Sequence, residues 1–420
     1  MDCGQTGRAL FHAGCTKIGT ATIFLKIVAV PNITMFKLSK KIQSLPPYLF
    51  LEIDKAKRQA RAEGRDIIDL GIGDPDQPTP KFIIDAISRA AHDPANHRYA
   101  LEQGMPALRN AISGWYKRRF NVNLSPEAEV LPLIGSKEGI AHFPLAFLNP
   151  GDVALVGDPS YPPYKGGTIL SGGIPHLMPL LESNSFLPDL NKIPFSARRK
   201  AKIIFVNYPN NPTNACASDD FYGQLIKFAV KNKIIIISDL AYSEMAYDGY
   251  KPRSLLEFEG AREVVIEFHS LSKTYNMTGW RIGWACGNPQ LVSALAKVKS
   301  NIDSGIFSAI QLAGVAALEG PQDYLKSMCE LYQERRDILV SGLNFLGWQA
   351  IKPRATFYVW IKISAQTDSL SFAARLLKES NIVATPGVGF GRYGEGYIRM
   401  ALTVPKERIK EALERLKKIT

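Results

Sequence analysis

Lys273 lies in a string that could do covalent chemistry: Ser270-Leu271-Ser272-Lys273-Thr274-Tyr275-Asn276-Met277-Thr278-Gly279-Trp280-Arg281-Ile282-Gly283. A lysine amine that has shed its proton attacks an aldehyde and forms an imine. Burial and nearby positive charge both favour that neutral amine. Ser270 and Ser272 flank the lysine, and Arg281 follows it eight residues on. Hydroxyls and a guanidinium are suited to gripping a phosphate dianion. The string therefore suits a cofactor that is both an aldehyde and a phosphate ester.

Other polar residues stand just after apolar runs. Asp239, in Ser238-Asp239-Leu240-Ala241-Tyr242, ends the run 234–237. Alone it reads as a helix cap, but a carboxylate there can also hold a pyridine nitrogen protonated and make the ring an electron sink. Asn207-Tyr208-Pro209-Asn210-Asn211-Pro212-Thr213 follows the run beginning at Ile203, and by composition alone is a turn former. Gly135-Ser136-Lys137 opens a predicted helix after 129–134; backbone N–H groups at a helix N-terminus make an anion site. Arg399, in Gly396-Tyr397-Ile398-Arg399-Met400-Ala401-Leu402, falls inside a predicted strand. A buried arginine needs a partner, and a substrate α-carboxylate gripped at both oxygens is the natural one. Gly389-Phe390-Gly391-Arg392-Tyr393-Gly394 matches a dinucleotide-binding pattern, but a strand follows it where that pattern requires a helix, so it reads as a turn-rich loop.

The elements that must position these residues alternate along the chain. Runs rich in β-branched residues, such as 203–206 and 234–237, read as buried strands; amphipathic stretches such as 219–232 and 323–346 read as helices. Alternation implies a mostly parallel sheet covered on both faces, with ligands at the carboxyl ends of its strands. A second, smaller α+β unit begins near Gly347, with strands predicted at 348–351, 355–363 and 397–402 and helices at 370–379 and 406–418. No Pro/Gly/Ser-rich linker separates the units, which points to a shared interface.

Composition sets bounds. The 420 residues carry a net charge of +12, are 46% hydrophobic, and contain 5 cysteines. The basic residues are scattered, with no helix-turn-helix, zinc-finger or RNA-binding signature, so a nucleic-acid partner is not expected. The cysteines are too few and too spread for a disulfide framework and lack metal spacing, which suits reduced thiols in the cytoplasm and no metal. The run 21–30, interrupted by Lys26, is far shorter than the ~20 residues a membrane helix needs. Residues 1–34 are expected to be a poorly ordered arm or an extended start.

The string around Lys273 resembles the Schiff-base motif of class I/II (fold-type I) aminotransferases, which use pyridoxal 5′-phosphate. The stretches around Ser136, Tyr161, Asn211, Asp239, Lys273 and Arg399 match that family in order, from about residue 35 to 420. The resemblance implies an α/β fold-type I architecture: an arm and part of the small domain at 35–76, a large cofactor-binding domain at 77–320, and a small domain at 321–420. It assigns Lys273 to the imine and Asp239 to the pyridine nitrogen. Asn211 and Tyr242 go to the ring hydroxyl, and Tyr161, in Asp158-Pro159-Ser160-Tyr161-Pro162, stacks on the ring. Tyr99, Ser136, Lys137, Ser270, Ser272 and Arg281 go to the phosphate, and Arg399 to the substrate α-carboxylate.

Within the family the chain looks most similar to the branch acting on LL-2,6-diaminopimelate with 2-oxoglutarate. Four stretches carry this: Pro46-Pro47-Tyr48-Leu49-Phe50, Leu70-Gly71-Ile72-Gly73-Asp74, Tyr99-Ala100-Leu101-Glu102-Gln103-Gly104, and Thr385-Pro386-Gly387-Val388-Gly389-Phe390-Gly391 with Gly394-Glu395-Gly396. It places Tyr48, Gly73, Tyr161 and Asn211 on the substrate and Glu102 at a distal ammonium; the cation for the distal carboxylate is left open, with Lys137 as one contributor. Ser308 is a weak candidate for a phosphate contact supplied across a homodimer, and Tyr48 and Tyr99 belong to sites that a dimer completes. Aspartate, alanine and aromatic amino acids are the rival substrates, β-elimination is a rival reaction, and a non-catalytic binding protein on the same fold is the rival class.

Overall fold

The computed structural model describes residues 36–47, 49–100 and 103–419. The readings made for residues 1–34, Tyr48 and Glu102 lie outside these. Seven strands form the principal sheet: β1 (Val130–Leu133), β2 (Val153–Asp158), β3 (Ile174–Pro179), β4 (Ala201–Val206), β5 (Ile235–Asp239), β6 (Val265–Ser270) and β7 (Gly283–Gly287). Their order across the sheet is β1-β7-β6-β5-β4-β2-β3. Only β7 opposes its neighbours; the pairs from β6 to β3 are all parallel.

The strand sequences explain the layering. A strand turns successive side chains to opposite faces. Leu131, Leu133, Ile203, Phe205, Ile237, Ile266 and Phe268 pack into one buried cluster, while Val130, Ile204, Val206, Ile236, Val265 and Trp284 belong to another. A sheet apolar on both faces needs helices on both, which the alternating sequence supplies. Helix Asp219–Asn232 is capped by Ser218, whose hydroxyl accepts from Phe221 N–H at 3.2 Å, and acidic Asp219 and Asp220 occupy its first turn. These satisfy orphan donors and oppose the helix dipole.

A third cluster holds the C-terminal region. An antiparallel four-stranded sheet runs Thr385–Pro386, Tyr397–Ala401, Tyr358–Lys362, Gln349–Ala350. Helices Asp323–Phe345 and Lys406–Leu416 cover it, burying Leu339, Leu343, Ile409 and Ala412. Tyr242, Met245 and Tyr247, which follow β5, pack into the same cluster. Contacts join Leu38–Thr420 into one unit, as the missing linker implies.

Boundaries differ from expectation where local geometry intervenes. The strand-like run 263–268 that precedes Ser270 in the sequence pairs only from Val265, because Gly260 (φ 76°) begins a helical turn over Ala261–Val264. The strand predicted from 355 starts at Tyr358, after Thr356 at φ 66°. The two-residue parallel pair of Ile68–Asp69 with Ile382–Val383 was not foreseen; two residues carry no periodicity to read. The glycine-rich stretch forms 3₁₀ turns, Gly387–Phe390 and Arg392–Gly394, ahead of Tyr397–Ala401. No described helix is long and apolar enough to cross a membrane.

Candidate active site

Five strands deliver polar residues to one edge. β1 leads to Ser136, β2 to Tyr161, β4 to Asn207 and Asn211, β5 ends at Asp239, and β6 ends at Ser270. All are carboxyl ends, where parallel sheets leave a crevice. Here a cavity of about 240 Å³ opens. Its walls include Gly73, Ser136, Lys137, Tyr161, Asn211, Asp239, Tyr242, Ser270, Ser272, Lys273, Arg281 and Arg399, together with Asn207, Ala241, Thr278, Tyr358 and Phe390.

Lys273 sits on the helical turn Leu271–Thr274 that follows β6. Ser270 caps that turn, its Oγ accepting from Ser272 N–H at 3.1 Å. The lysine Nζ donates to Gly73 O at 2.8 Å and lies 5.8 Å from the centre of the Phe357 ring. Burial pushes the ammonium down to about 8; Asp74 opposes this, while Arg399 and Arg281 assist it. That shift raises the neutral fraction at neutral pH by more than a hundredfold over an ordinary lysine, to about one-tenth, which is what an aldehyde-capturing amine requires. Gly73 has to be glycine here, since an added Cβ would collide with the Tyr358 hydroxyl.

One end of the cavity gathers positive charge and hydroxyls. Ser136 and Lys137 open the helix Ser136–His142, at the positive end of its dipole. Arg281 takes up a left-handed backbone (φ 55°), a strained state for a side-chain-bearing residue that costs about 1 kcal/mol or more. The Arg281 guanidinium donates to Thr278 O at 2.8 Å and packs so close to Gly135 that a Cβ there would strike it. Burial first, and the Arg281 charge second, lower the Lys137 ammonium. Two cations that disfavour each other beside three serine hydroxyls fit a doubly charged anion between them.

The opposite end gathers negative charge. Asp239 is 5% exposed. Its Oδ2 accepts from the Tyr164 hydroxyl at 2.7 Å, and Asn207 Nδ2 donates to its main-chain oxygen at 2.7 Å. Its Oδ1 is buried without a hydrogen-bond partner among the described residues. Burial pushes the carboxyl up to about 6, against the Tyr164 hydroxyl and the nearby Ala241 N–H. A buried carboxylate oxygen without a well-formed hydrogen bond is costly; a protonated ring nitrogen supplies both the donor and the positive charge. A phosphate-bearing pyridine aldehyde thus fits this cavity at its ends and at Lys273.

Arg399, 3% exposed, reaches in from Tyr397–Ala401. It donates to Asn211 Oδ1 and to Gly71 O, each at 2.8 Å, and its guanidinium lies 4.1 Å from the Tyr358 ring centre and 4.7 Å from that of Phe390. The Tyr242 and Tyr358 hydroxyls are 3.1 Å apart. Two aromatic faces hold the guanidinium in one plane, the preorganisation that bidentate carboxylate binding uses.

Two expected residues lie apart from the cavity wall: Tyr99 is 91% exposed, and Ser308 is a half-buried helix start. Glu102 and Tyr48 are outside the described residues. Conversely, Tyr164, Tyr358, Phe390 and Asn207 were not singled out from the sequence. Asn207 opens the very string in which Asn211 was chosen, and Tyr164 follows Tyr161 by one helical step, so both had a positional signal. Tyr358 and Phe390 had none, being indistinguishable from core aromatics.

Comparison with known proteins adds independent findings. Residues 65–416 match the family described as aminotransferase class I and II. The LL-diaminopimelate aminotransferase of Desulforudis audaxviator is 56% identical over 379 residues, covering 90% of this chain and 97% of that protein. The enzyme of the same name from Aquifex aeolicus is 52% identical over 385 residues, 92% of this chain and 100% of that one. Among solved structures, substrate-bound BacF from Bacillus subtilis superposes with a TM-score of 0.89 at 37% identity, covering 92% and 98% of the two chains. A mutant aspartate aminotransferase of Thermus thermophilus gives 0.86 at 29%, covering 92% and 100%.

Proposed function

This chain belongs to the class I and II aminotransferases, pyridoxal-phosphate-dependent transaminases of the fold-type I architecture, and we propose that its amino donor is LL-2,6-diaminopimelate and its acceptor 2-oxoglutarate. The observation that carries the chemistry is Lys273, an amine lowered to about 8 in a cavity with a cationic end and a buried, undonated Asp239 oxygen. The substrate reading is supported by relatives of that name at 50% to 56% identity that this chain spans almost end to end.

When bound, pyridoxal phosphate supplies an electron sink for the pair left at a substrate Cα that has lost its proton. Ser136, Lys137, Ser270, Ser272 and Arg281 would hold its phosphate. Asp239, kept in place by Tyr164 and Asn207, would hold a proton on the pyridine nitrogen. Asn211 and Tyr242 would hold the ring hydroxyl, and Tyr161 would pack against the ring. Arg399 fixes the substrate α-carboxylate, with Gly73 leaving room beside it. The Lys273 amine moves the proton to and from Cα.

The same reading makes the enzyme a cytoplasmic homodimer, with Tyr99, Tyr48 and Ser308 serving sites completed by the partner and Glu102 meeting the distal ammonium. The 91% exposure of Tyr99 supports the first part, and the free thiols Cys216, Cys286 and Cys329 suit a reducing compartment. The deciding assay is transamination by purified protein of LL-diaminopimelate with 2-oxoglutarate, set against aspartate, alanine and phenylalanine as donors. A kcat/KM highest for diaminopimelate is expected; a preference for any of the others overturns the substrate assignment.

A further inference from the structure

Beneath the cationic end of the cavity lies a buried charge cluster that the chemistry above does not use. Lys299, at the end of helix Pro289–Lys299, has a side chain only 1% exposed. Its Nζ sits 3.2 Å from Glu138 Oε1 and 2.6 Å from Asp303 Oδ1. Glu138 is on the helix that begins with Ser136 and Lys137. Asp303 is on the segment leading to helix Ser308–Glu319, and its Oδ1 also accepts from Gly305 N–H at 2.8 Å.

Two half-buried carboxylates against one buried ammonium leave a surplus negative charge largely shielded from water, which is unfavourable. The remaining oxygens, Glu138 Oε2 and Asp303 Oδ2, are both buried and have no donor among the described residues. Two acceptors without a donor are reconciled by one proton between them. Burial, and secondarily Asp303, push the Glu138 carboxyl up to about 7 against the pull of Lys299, while Lys299 and Gly305 N–H keep Asp303 low.

Among the described residues, His142 on the same helix is the other titratable group facing the cluster, its Nδ1 buried without a partner. Burial chiefly lowers its imidazole, with Asp303 opposing and Lys299 assisting, so it stays neutral where the carboxylates exchange their proton and does not cancel their surplus charge. The strands below turn Leu133 and Phe268 toward the helix, and Glu267 and His269 point to the opposite face, toward Tyr116, Trp115 and Trp284. Helix Pro162–Leu170 approaches through Gly167 against Ala141, and its Lys165 acts on Asp158.

We propose that Glu138, Asp303 and Lys299 share a proton that sets how firmly the neighbouring cavity end holds the cofactor phosphate. With the proton in place the cluster is neutral and Lys137 keeps its full attraction for the anion. Loss of the proton leaves an uncompensated, half-buried carboxylate one residue from Lys137 and opposes the phosphate. Glu138 and Lys299 are positioning residues in this account, since neither lines the cavity. The inference rests on the cavity holding a phosphate-bearing cofactor and is independent of the substrate.

The test is the dissociation constant of pyridoxal phosphate from the full-length protein, read by its absorbance between pH 6 and 9, for the wild type, Glu138→Gln and Asp303→Asn. The wild type is expected to lose affinity several-fold more than Glu138→Gln as pH rises through about 7. Glu138→Gln keeps a hydrogen bond to Lys299 and cannot acquire the charge, so its profile should be the flatter. Asp303→Asn removes the surplus charge and should move the inflection to lower pH. Superimposable profiles for the wild type and both variants overturn the proposal. A Glu138→Gln protein that does not fold leaves Asp303→Asn to decide: an unmoved inflection there overturns it equally. If the wild type itself takes up no pyridoxal phosphate, the cofactor reading has failed instead.

Discussion

The two ends of the cavity are built differently. At the Asp239 end, the residue is 5% exposed, its carboxylate is tied to Tyr164, and its main chain is tied to Asn207. At the Arg281 end, the serines Ser270 and Ser272 are buried but the charged groups, Arg281 and Lys137, are exposed, and the guanidinium's donated bond is to a carbonyl three residues away. A charge that must act on a ring nitrogen during the reaction gains from low dielectric and fixed geometry. A charge that must only retain a dianion can stay in water's reach, where hydrogen bonds and helix N–H groups suffice. The contrast separates residues that govern rate from those that govern retention.

Substitutions can break that division. Lys273→Ala, at the junction of the two ends, should lower turnover by about 10⁴-fold, since both the covalent anchor and the proton-moving amine are lost. Steady-state kinetics with added pyridoxal phosphate check this. Asp239→Asn should cost about 10²–10³ in kcat, the scale of a lost preorganised electrostatic contact, with little change in cofactor affinity. Arg281→Ala should do the reverse, weakening cofactor binding by about 10- to 100-fold through a lost charge-assisted contact of 1.5–3 kcal/mol, while kcat at saturating cofactor changes little. Equal effects of these two variants on both quantities would erase the distinction.

Smaller effects sharpen it. The Lys273 ammonium, lowered to about 8 by burial, must lose its proton before capturing the aldehyde. The rate of pyridoxal phosphate capture by the apoenzyme should therefore climb with pH and level off above about 8, gaining roughly tenfold from pH 7 to 9. Stopped-flow absorbance reads this directly. Tyr164→Phe removes one donor from Asp239 Oδ2, which lets burial raise the carboxyl further. A loss of about fivefold in kcat is expected, for a net hydrogen bond of ~1 kcal/mol.

Much of this was legible in the sequence because parallel sheets export function to strand ends. Asn211, Asp239, Lys273 and Ser136 each follow a β-branched or apolar run, so the run and the polar residue announce one another. Arg399 was legible for another reason, a guanidinium inside an apolar strand. Tyr358 and Phe390, which bracket that guanidinium, were not, because an aromatic in a strand or glycine-rich turn serves packing as readily as binding. The pairing of Ile68–Asp69 with Ile382–Val383 was hidden by distance along the chain. The Lys299 cluster was hidden too, since Glu138, Lys299 and Asp303 look like ordinary surface charges until packing buries them.

The central claim is that Lys273 is the amine that captures the cofactor. Incubating the protein with pyridoxal phosphate, reducing with borohydride and mapping the peptides by mass spectrometry fixes the bond where it forms. A single pyridoxyl-phosphate adduct on Lys273 is expected. An adduct on Lys137 or another lysine, or no adduct at all, would contradict it.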